Sequence, residues 1–494
     1  MILLDGSSLT LDDLAAIAVE RAPVGLTDAA KARVRASRDV VDRHAALPRA
    51  VYGINTGFGA LAEVAIPPDQ LAALQLNLIR SHAAGVGEPL SAAETRAVMT
   101  LRANVLAKGC SGIRLETLEA LLSLLNGGIT PLVPSRGSVG ASGDLAPLAH
   151  LALVLVGEGE LLPGSAPRPA PLTLGPKEGL ALINGTQASA GVLALAVLAA
   201  GRLTRAADIA AALSIDALRG SSRPFDARIH AARPVPGQIA SAGNLRHLLG
   251  GSAIADSHAN CGKVQDAYAL RCAPQVHGSA REAVAFAHRL TAIEANAATD
   301  NPMVFADEGD IVSGGNFHGA PVALAADTLT IGVTQLATIS ERRTDRLMTP
   351  HESGLPAFLI EDSGLNSGYM MAHVTAAALA SELKVLAHPA AADTIPTSAG
   401  REDHVSMSMT AALKAARAVE LCTQILAIEL LCAAQAIDLL APLTTSRPLA
   451  AVHAVLRARV PRLDVDRPPA PDIATVAALV GSGALEAGCP ERLA

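Results

Sequence analysis

The sequence predicts a mainly α-helical protein, a bundle of long helices with an N-terminal lobe that carries the functional loops. Half of the 494 residues are hydrophobic, yet only 2% are aromatic, so alanine and leucine must supply most of the core. Apolar residues recur at helical spacing over long stretches, and alanine at that spacing lets helix backbones approach closely. Loops rich in Gly, Ser and Asn separate these stretches.

Along the chain, Ser91-Ala-Ala-Glu94 reads as a capping box, and Val98, Leu101 and Val105 follow until Gly109. Leu118, Leu121, Leu122 and Leu125 form a second stripe, stopped by Asn126-Gly127-Gly128. From about residue 200 the patterns lengthen: Ala280 to Ala297 before Asn301-Pro302, Val374 to Leu386 before Pro389, and Ala411 to Leu440. Residues 1–200 are expected to form the lobe, and 201–494 the long-helix bundle with a helical tail. Pro163 to Pro176 reads as a surface connection, and Arg467 to Asp472 precedes the tail. No internal repeat is apparent.

Several function classes drop out. A net charge of −7 gives no basic field for nucleic acid, and few aromatics leave few stacking platforms. The start, MILLDGSSLT, lacks the pattern of a signal peptide, and the apolar run around Val192 to Ala200 ends at Arg202, too short for a bilayer. Cys110, Cys261, Cys272, Cys422, Cys432 and Cys489 contain no Cys-x-x-Cys pair, which fits a reducing, cytoplasmic setting. The nucleophile elbow, the phosphate-cradling glycine motifs and His-Glu-x-x-His are all missing. Neither an external cofactor nor a metal is expected, and neither a nucleic-acid nor a membrane partner.

The loop Gly137-Ser-Val-Gly-Ala-Ser-Gly-Asp-Leu145 carries the chemistry. Gly143 has no Cβ and suits a tight turn, Ala141 and Ser142 are small, and Asp144 follows directly. Alone, Ala-Ser-Gly would be only a small-residue turn.

With its context, this run resembles the aromatic amino acid ammonia-lyase family, whose members make their own electrophile. Tyr52-Gly-Ile-Asn-Thr-Gly-Phe-Gly59, Asn184-Gly-Thr-Gln187, Gln265-Asp-Ala-Tyr-Ala-Leu-Arg271, Gly314-Gly-Asn-Phe-His318 and Glu402-Asp-His-Val-Ser-Met407 extend the resemblance from about Asp5 to about Leu440. The members that take histidine are the most similar. The resemblance implies a fumarase/aspartase-like helical architecture and a 4-methylideneimidazol-5-one (MIO) group formed autocatalytically from Ala141, Ser142 and Gly143. It also implies a homotetramer with shared active sites, converting L-histidine to trans-urocanate and ammonia as the first step of histidine degradation.

On that reading Tyr52 removes the substrate's β-proton, which requires nearby charge or donors to lower a phenol pKa of ~10. Tyr268 orients the ring or relays protons. Arg271, three residues on, suits the substrate carboxylate. Asn184 and Gln265 hold the carboxylate or the ring carbonyl, and Phe317 packs beside the ring. Ser81-His82 and Glu402 choose the substrate, because a His with a carboxylate matches an imidazole and a phenyl ring would leave Glu402 without a partner. Each has a plainer alternative: a core tyrosine, a structural salt bridge for Arg271, simple packing for Phe317, a loop histidine for His82. Arg401 departs from the Gln usual before this Glu, and either pairs with Glu402 or faces solvent. A tyrosine or phenylalanine ammonia-lyase or aminomutase, and a non-catalytic helical scaffold, stay open as alternatives.

Overall fold

Ser91 caps its helix as the spacing predicts. Its hydroxyl accepts from the Glu94 amide, the Glu94 carboxylate accepts from the Ser91 amide, and the helix Ala92–Ala107 ends before Gly109 at φ +83°. The next predicted stripe lies on the helix Leu115–Asn126. These positions come from a computed structural model, which describes residues 1–47, 50–57, 59–259, 261–262, 264–486 and 493–494. Phe58 of the first glycine loop and Cys489 lie outside the described residues.

The fold is mainly helical, with 19 α-helices and three two-stranded sheets among the described residues. Ile2–Leu4 pairs in parallel with Val24–Leu26, whereas Val86–Pro89 with Pro134–Arg136 and Met303–Phe305 with Asp310–Val312 are antiparallel. The chain divides into two compact units. The first comprises 1–198, 287–327 and 389–416, and the second 199–286, 328–388 and 417–494. Neither unit is one continuous span, because two later segments return to the first.

The long helices are Gln187–Ala217, Ala273–Glu294, Ala320–Met348, Met370–Leu386 and Ser408–Leu439. The first runs past Arg202, so it is longer than the apolar run suggested. Three of them (Gln187–Ala217, Ala320–Met348 and Ser408–Leu439) are long and apolar enough by length and composition to cross a membrane, but most of each apolar window is buried within the protein. Alanine dominates their buried faces, with Ala206, Ala207, Ala210, Ala211 and Ala212 on one and Ala411, Ala412, Ala415 and Ala418 on another. The Arg467–Asp472 stretch runs into a regular helix, Ala470–Ser482, started by Pro471 in its first turn.

In the first unit, Leu71–His82 packs on Leu145–Leu155 and Glu178–Ile183, so the ends of these helices frame the Gly137–Asp144 loop. In the second unit a buried polar network ties the long helices together. Arg343 donates to both oxygens of Glu429, at 2.5 and 2.9 Å, and lies 3.3 Å from His277 Nε2. His277 Nδ1 is 2.7 Å from Asp208, which also accepts from Ser241, Asn244 and Arg281.

Removing one member of such a network strands the other charge. Arg343→Met should cost about 3–5 kcal/mol, read as a lower unfolding midpoint. Burial pulls the His277 imidazole below its ordinary value, opposed by the hydrogen bond it donates to Asp208. Its contribution to stability is therefore complete above ~6.5, the unfolded-chain value, and fades as the pH falls below it. His277→Gln should flatten the decline of the melting temperature between about pH 7 and pH 5, and an unchanged slope would count against this assignment.

Candidate active site

The residues flanking Ala141-Ser142-Gly143 are held by a set of hydrogen bonds. Asp144, fully buried, accepts from Ser138 Oγ at 2.7 Å, from the Ser189 amide at 2.7 Å and from Ser189 Oγ at 2.8 Å. Burial pushes its carboxyl above the ordinary value, and these bonds oppose the rise. The Gly140 carbonyl accepts from the Gly319 amide at 3.1 Å and Ser406 Oγ at 3.0 Å, while the Met407 amide donates to Val139. On the other side, the Asp144 amide donates to the Gly185 carbonyl at 2.7 Å and Asn184 Nδ2 donates to the Ser142 carbonyl at 2.9 Å.

Gly143 has φ +71°, and a Cβ there would lie 2.2 Å from the Gly185 carbonyl oxygen, so only glycine fits. The Ala141 carbonyl and the Gly143 N–H form no hydrogen bond among the described residues, although both residues are buried. Buried backbone groups are normally paired. The two left unpaired are the ones a five-membered ring would join, so the residues present fit a self-formed MIO group. The Asn184 carboxamide oxygen is likewise buried without a hydrogen-bond partner among the described residues.

The Glu402 carboxylate lies over the serine. Ser142 Oγ donates to Oε1 at 2.9 Å, and Thr397 Oγ1 donates to Oε2 at 2.6 Å. Arg401 is exposed and makes no ion pair with Glu402 among the described residues. The Tyr52 hydroxyl accepts from the Gly59 amide and feels the Glu402 charge. Its pKa is pushed up, first by burial and then by that carboxylate, with the Gly59 bond opposing. The lowering that a phenolate base requires is therefore not supplied by these neighbours.

Phe317 is half-buried in the turn before Ala320–Met348. Its neighbour Gly319 is bonded to Gly140, and His318 Nε2 lies 3.0 Å from the His404 carbonyl, with the two imidazoles stacked at 5.8 Å. His82 ends the helix Leu71–His82, and its Nδ1 bonds stay local, to Leu78 at 2.8 Å and Ser81 at 3.0 Å. Ser142, Asn184, Glu402 and Tyr52 are thus brought together, Phe317 is tied in through its loop, and His82 is held by its own helix.

Gln265, Tyr268 and Arg271 belong to the second unit. The Arg271 guanidinium stacks over the Tyr268 ring at 4.7 Å, as a three-residue helical spacing allows. Tyr268 is 70% exposed and Gln265 is also exposed. Arg271 Nε is buried with no hydrogen-bond partner among the described residues. Gln265 and Arg271 line an open cavity of about 1180 Å³ with Arg219, Arg223 and Arg228.

Sequence reasoning missed three supporting residues. Thr397 and Ser406 grip Glu402 and Gly140. Arg102, fully buried, donates to the Asn184 carbonyl at 2.6 Å and Gln187 Oε1 at 2.7 Å, and burial brings its guanidinium down to about 10. The signal was available for Arg102, since Arg96, Arg102 and Asn104 break an otherwise apolar helix.

Residues 9–458 match the family model described as aromatic amino acid lyase. The chain is 57% identical to a histidine ammonia-lyase of Anaeromyxobacter sp. (strain K), over 98% of this chain and 99% of that one. It is 53% identical to one of Myxococcus xanthus (strain DK1622), over 98% and 97%. Among solved structures, histidine ammonia-lyase from Trypanosoma cruzi superposes with TM-score 0.91 at 48% identity, covering 99% of this chain and 94% of that chain. Tyrosine aminomutase from Streptomyces globisporus gives TM-score 0.94 at 38% identity, covering 100% of both.

The close approach at Gly143 is testable without turnover. Gly143→Ala should cost about 1–3 kcal/mol in stability or displace the loop. Gly128→Ala is the control, with φ +68° but nothing within 4 Å of an added Cβ. Equal shifts in melting temperature for the two variants would show that the Gly185 contact is unimportant.

Proposed function

The chain belongs to the aromatic amino acid lyase family and is a lyase, and we propose that it deaminates L-histidine to trans-urocanate and ammonia. The observation that carries this reading is the carboxylate of Glu402, 2.9 Å from the hydroxyl of Ser142. An acidic side chain over the ring-forming serine matches an imidazole N–H and leaves a phenyl ring with nothing to offer it. The fold alone does not choose, because relatives acting on other aromatic amino acids share it.

In this proposal the Gly143 nitrogen attacks the Ala141 carbonyl carbon, and two waters leave, one of them with the Ser142 hydroxyl. The resulting MIO group supplies an electrophilic carbon and an electron sink that make the substrate amine a leaving group. Asn184 holds the former Ser142 carbonyl, Phe317 packs beside it, and Asp144 anchors the loop from behind. Glu402, with His82, reads the imidazole. Tyr52 takes the β-proton.

The raised pKa of Tyr52 implies that further charge is needed to make it a base. Arg271, whose buried Nε has no hydrogen-bond partner among the described residues, lies beside the exposed Tyr268 and is the complementary half: a bidentate donor suited to a carboxylate. We therefore place Gln265, Tyr268 and Arg271 in active sites shared between copies of the chain, in a homotetramer. The free cysteines Cys110, Cys261, Cys272, Cys422 and Cys432 are consistent with a cytoplasmic location.

Intact mass should fall two waters below the encoded sequence in the wild type and stay at the value encoded by the variant in Ser142→Ala, which should also lose turnover. Product absorbance with L-histidine, L-tyrosine and L-phenylalanine should appear with histidine; release of product from tyrosine instead would overturn the substrate assignment. Arg271→Ala should weaken substrate binding by about 2–5 kcal/mol. Co-expressing Ser142→Ala with Arg271→Ala should restore part of the activity if sites are shared, and no recovery at all would mean that each chain builds its own.

A further inference from the structure

Thr397 faces Glu402 across a short antiparallel bridge. The Thr397 amide donates to the Glu402 carbonyl at 3.0 Å, and the Glu402 amide returns to the Thr397 carbonyl at 3.4 Å. The turn between them is strained, with Ser398 at φ +50°, Ala399 at +53° and Gly400 at +81°. Two of these three left-handed residues carry side chains, a conformation kept only where the surroundings enforce it. The same turn lies against the Tyr52 loop, since an added Cβ at Gly59 would sit 3.1 Å from Ser398 Oγ.

What the turn achieves is to aim one hydroxyl. Thr397 Oγ1 donates to Glu402 Oε2 at 2.6 Å, while Oε1 accepts from Ser142 Oγ. A β-branched side chain has few χ1 choices, so this donor is fixed in place. Loss of the Ser142 hydroxyl during ring formation would free Oε1 and leave Oε2 occupied.

We propose that Thr397 is a positioning residue for substrate recognition: it holds Glu402 so that one carboxylate oxygen, the one Ser142 vacates, faces the imidazole. This deepens the histidine reading and rests on it. The serine hydroxyl serves as a placeholder for the substrate N–H, and Thr397 keeps the carboxylate from turning when the placeholder is gone.

Thr397→Val keeps the shape and removes the hydroxyl; Thr397→Ser keeps the hydroxyl. With L-histidine, kcat/KM should fall about 10- to 100-fold in Thr397→Val, the effect of one hydrogen bond to a charged group. Its intact mass should still be two waters below the encoded value. Thr397→Ser should recover to within about 3-fold of wild type. The proposal is overturned if Thr397→Val works like wild type, if the serine variant is as poor as the valine variant, or if the valine variant fails to lose its two waters. A wild-type chain that forms the ring and leaves histidine untouched defeats the parent reading and this one with it, and is seen before any substitution at Thr397.

Discussion

The approach of Gly143 to the Gly185 carbonyl is the constraint on which the site depends. It leaves no room for a Cβ and puts the residue at positive φ. Among the described residues it also leaves the Ala141 carbonyl and the Gly143 nitrogen out of a dense hydrogen-bond net. An unpaired buried amide is costly, and the cost is borne because the flanks are gripped: Gly140 by Gly319 and Ser406, Asp144 by Ser138 and Ser189, Ser142 by Asn184. A loop so held has little freedom other than the approach of nitrogen to carbonyl. Conformational entropy, the usual obstacle to closing a ring, has been removed by folding.

The same packing sets the electrostatics. Around Ser142 the nearby titratable groups are acidic or phenolic: Asp144 and Glu294 are both raised by burial, and Tyr52 is raised by burial and by Glu402. Arg102 is the buried cation bonded to this region, but it is engaged with the Asn184 carbonyl and Gln187, behind the loop. In the second unit Arg219, Arg223, Arg228 and Arg271 line an open cavity together with Asp226, Asp256 and Asp266, and Arg228 is paired with Asp226.

Much of this was legible from residue types. The capping box at Ser91, the helix stops at Gly109 and Asn126, and the helices before Asn301 and Pro389 follow from local rules, and local rules held. The motif loops were readable because glycine, serine and asparagine at such density have few uses inside a helical core. Thr397 was not readable, because its importance lies in a strained turn that no propensity predicts. Nor was the exposure of Tyr268, which opens a separate short helix, Tyr268–Arg271, where tertiary placement rather than local pattern sets burial. The sparse aromatics do not share one environment. Tyr369 and Phe225, outside the motifs, are buried core residues, whereas Tyr52 and Phe317 stand at the loop.

Selectivity on a shared fold has to come from few atoms, and in the proposed reading it comes down to which hydrogen-bonding valences are left open. Glu402 has two oxygens, one taken by Thr397 and one by a hydroxyl that ring formation would destroy. A carboxylate left with one unfilled oxygen would discriminate against a ligand that cannot donate to it. Arg401, exposed beside it, does not fill that oxygen. The precursor satisfies Glu402 and the mature site would not, so completing the prosthetic group would itself create the demand for an N–H donor. On this view the loop that makes the electrophile also opens the specificity pocket, and the two cannot fall out of step.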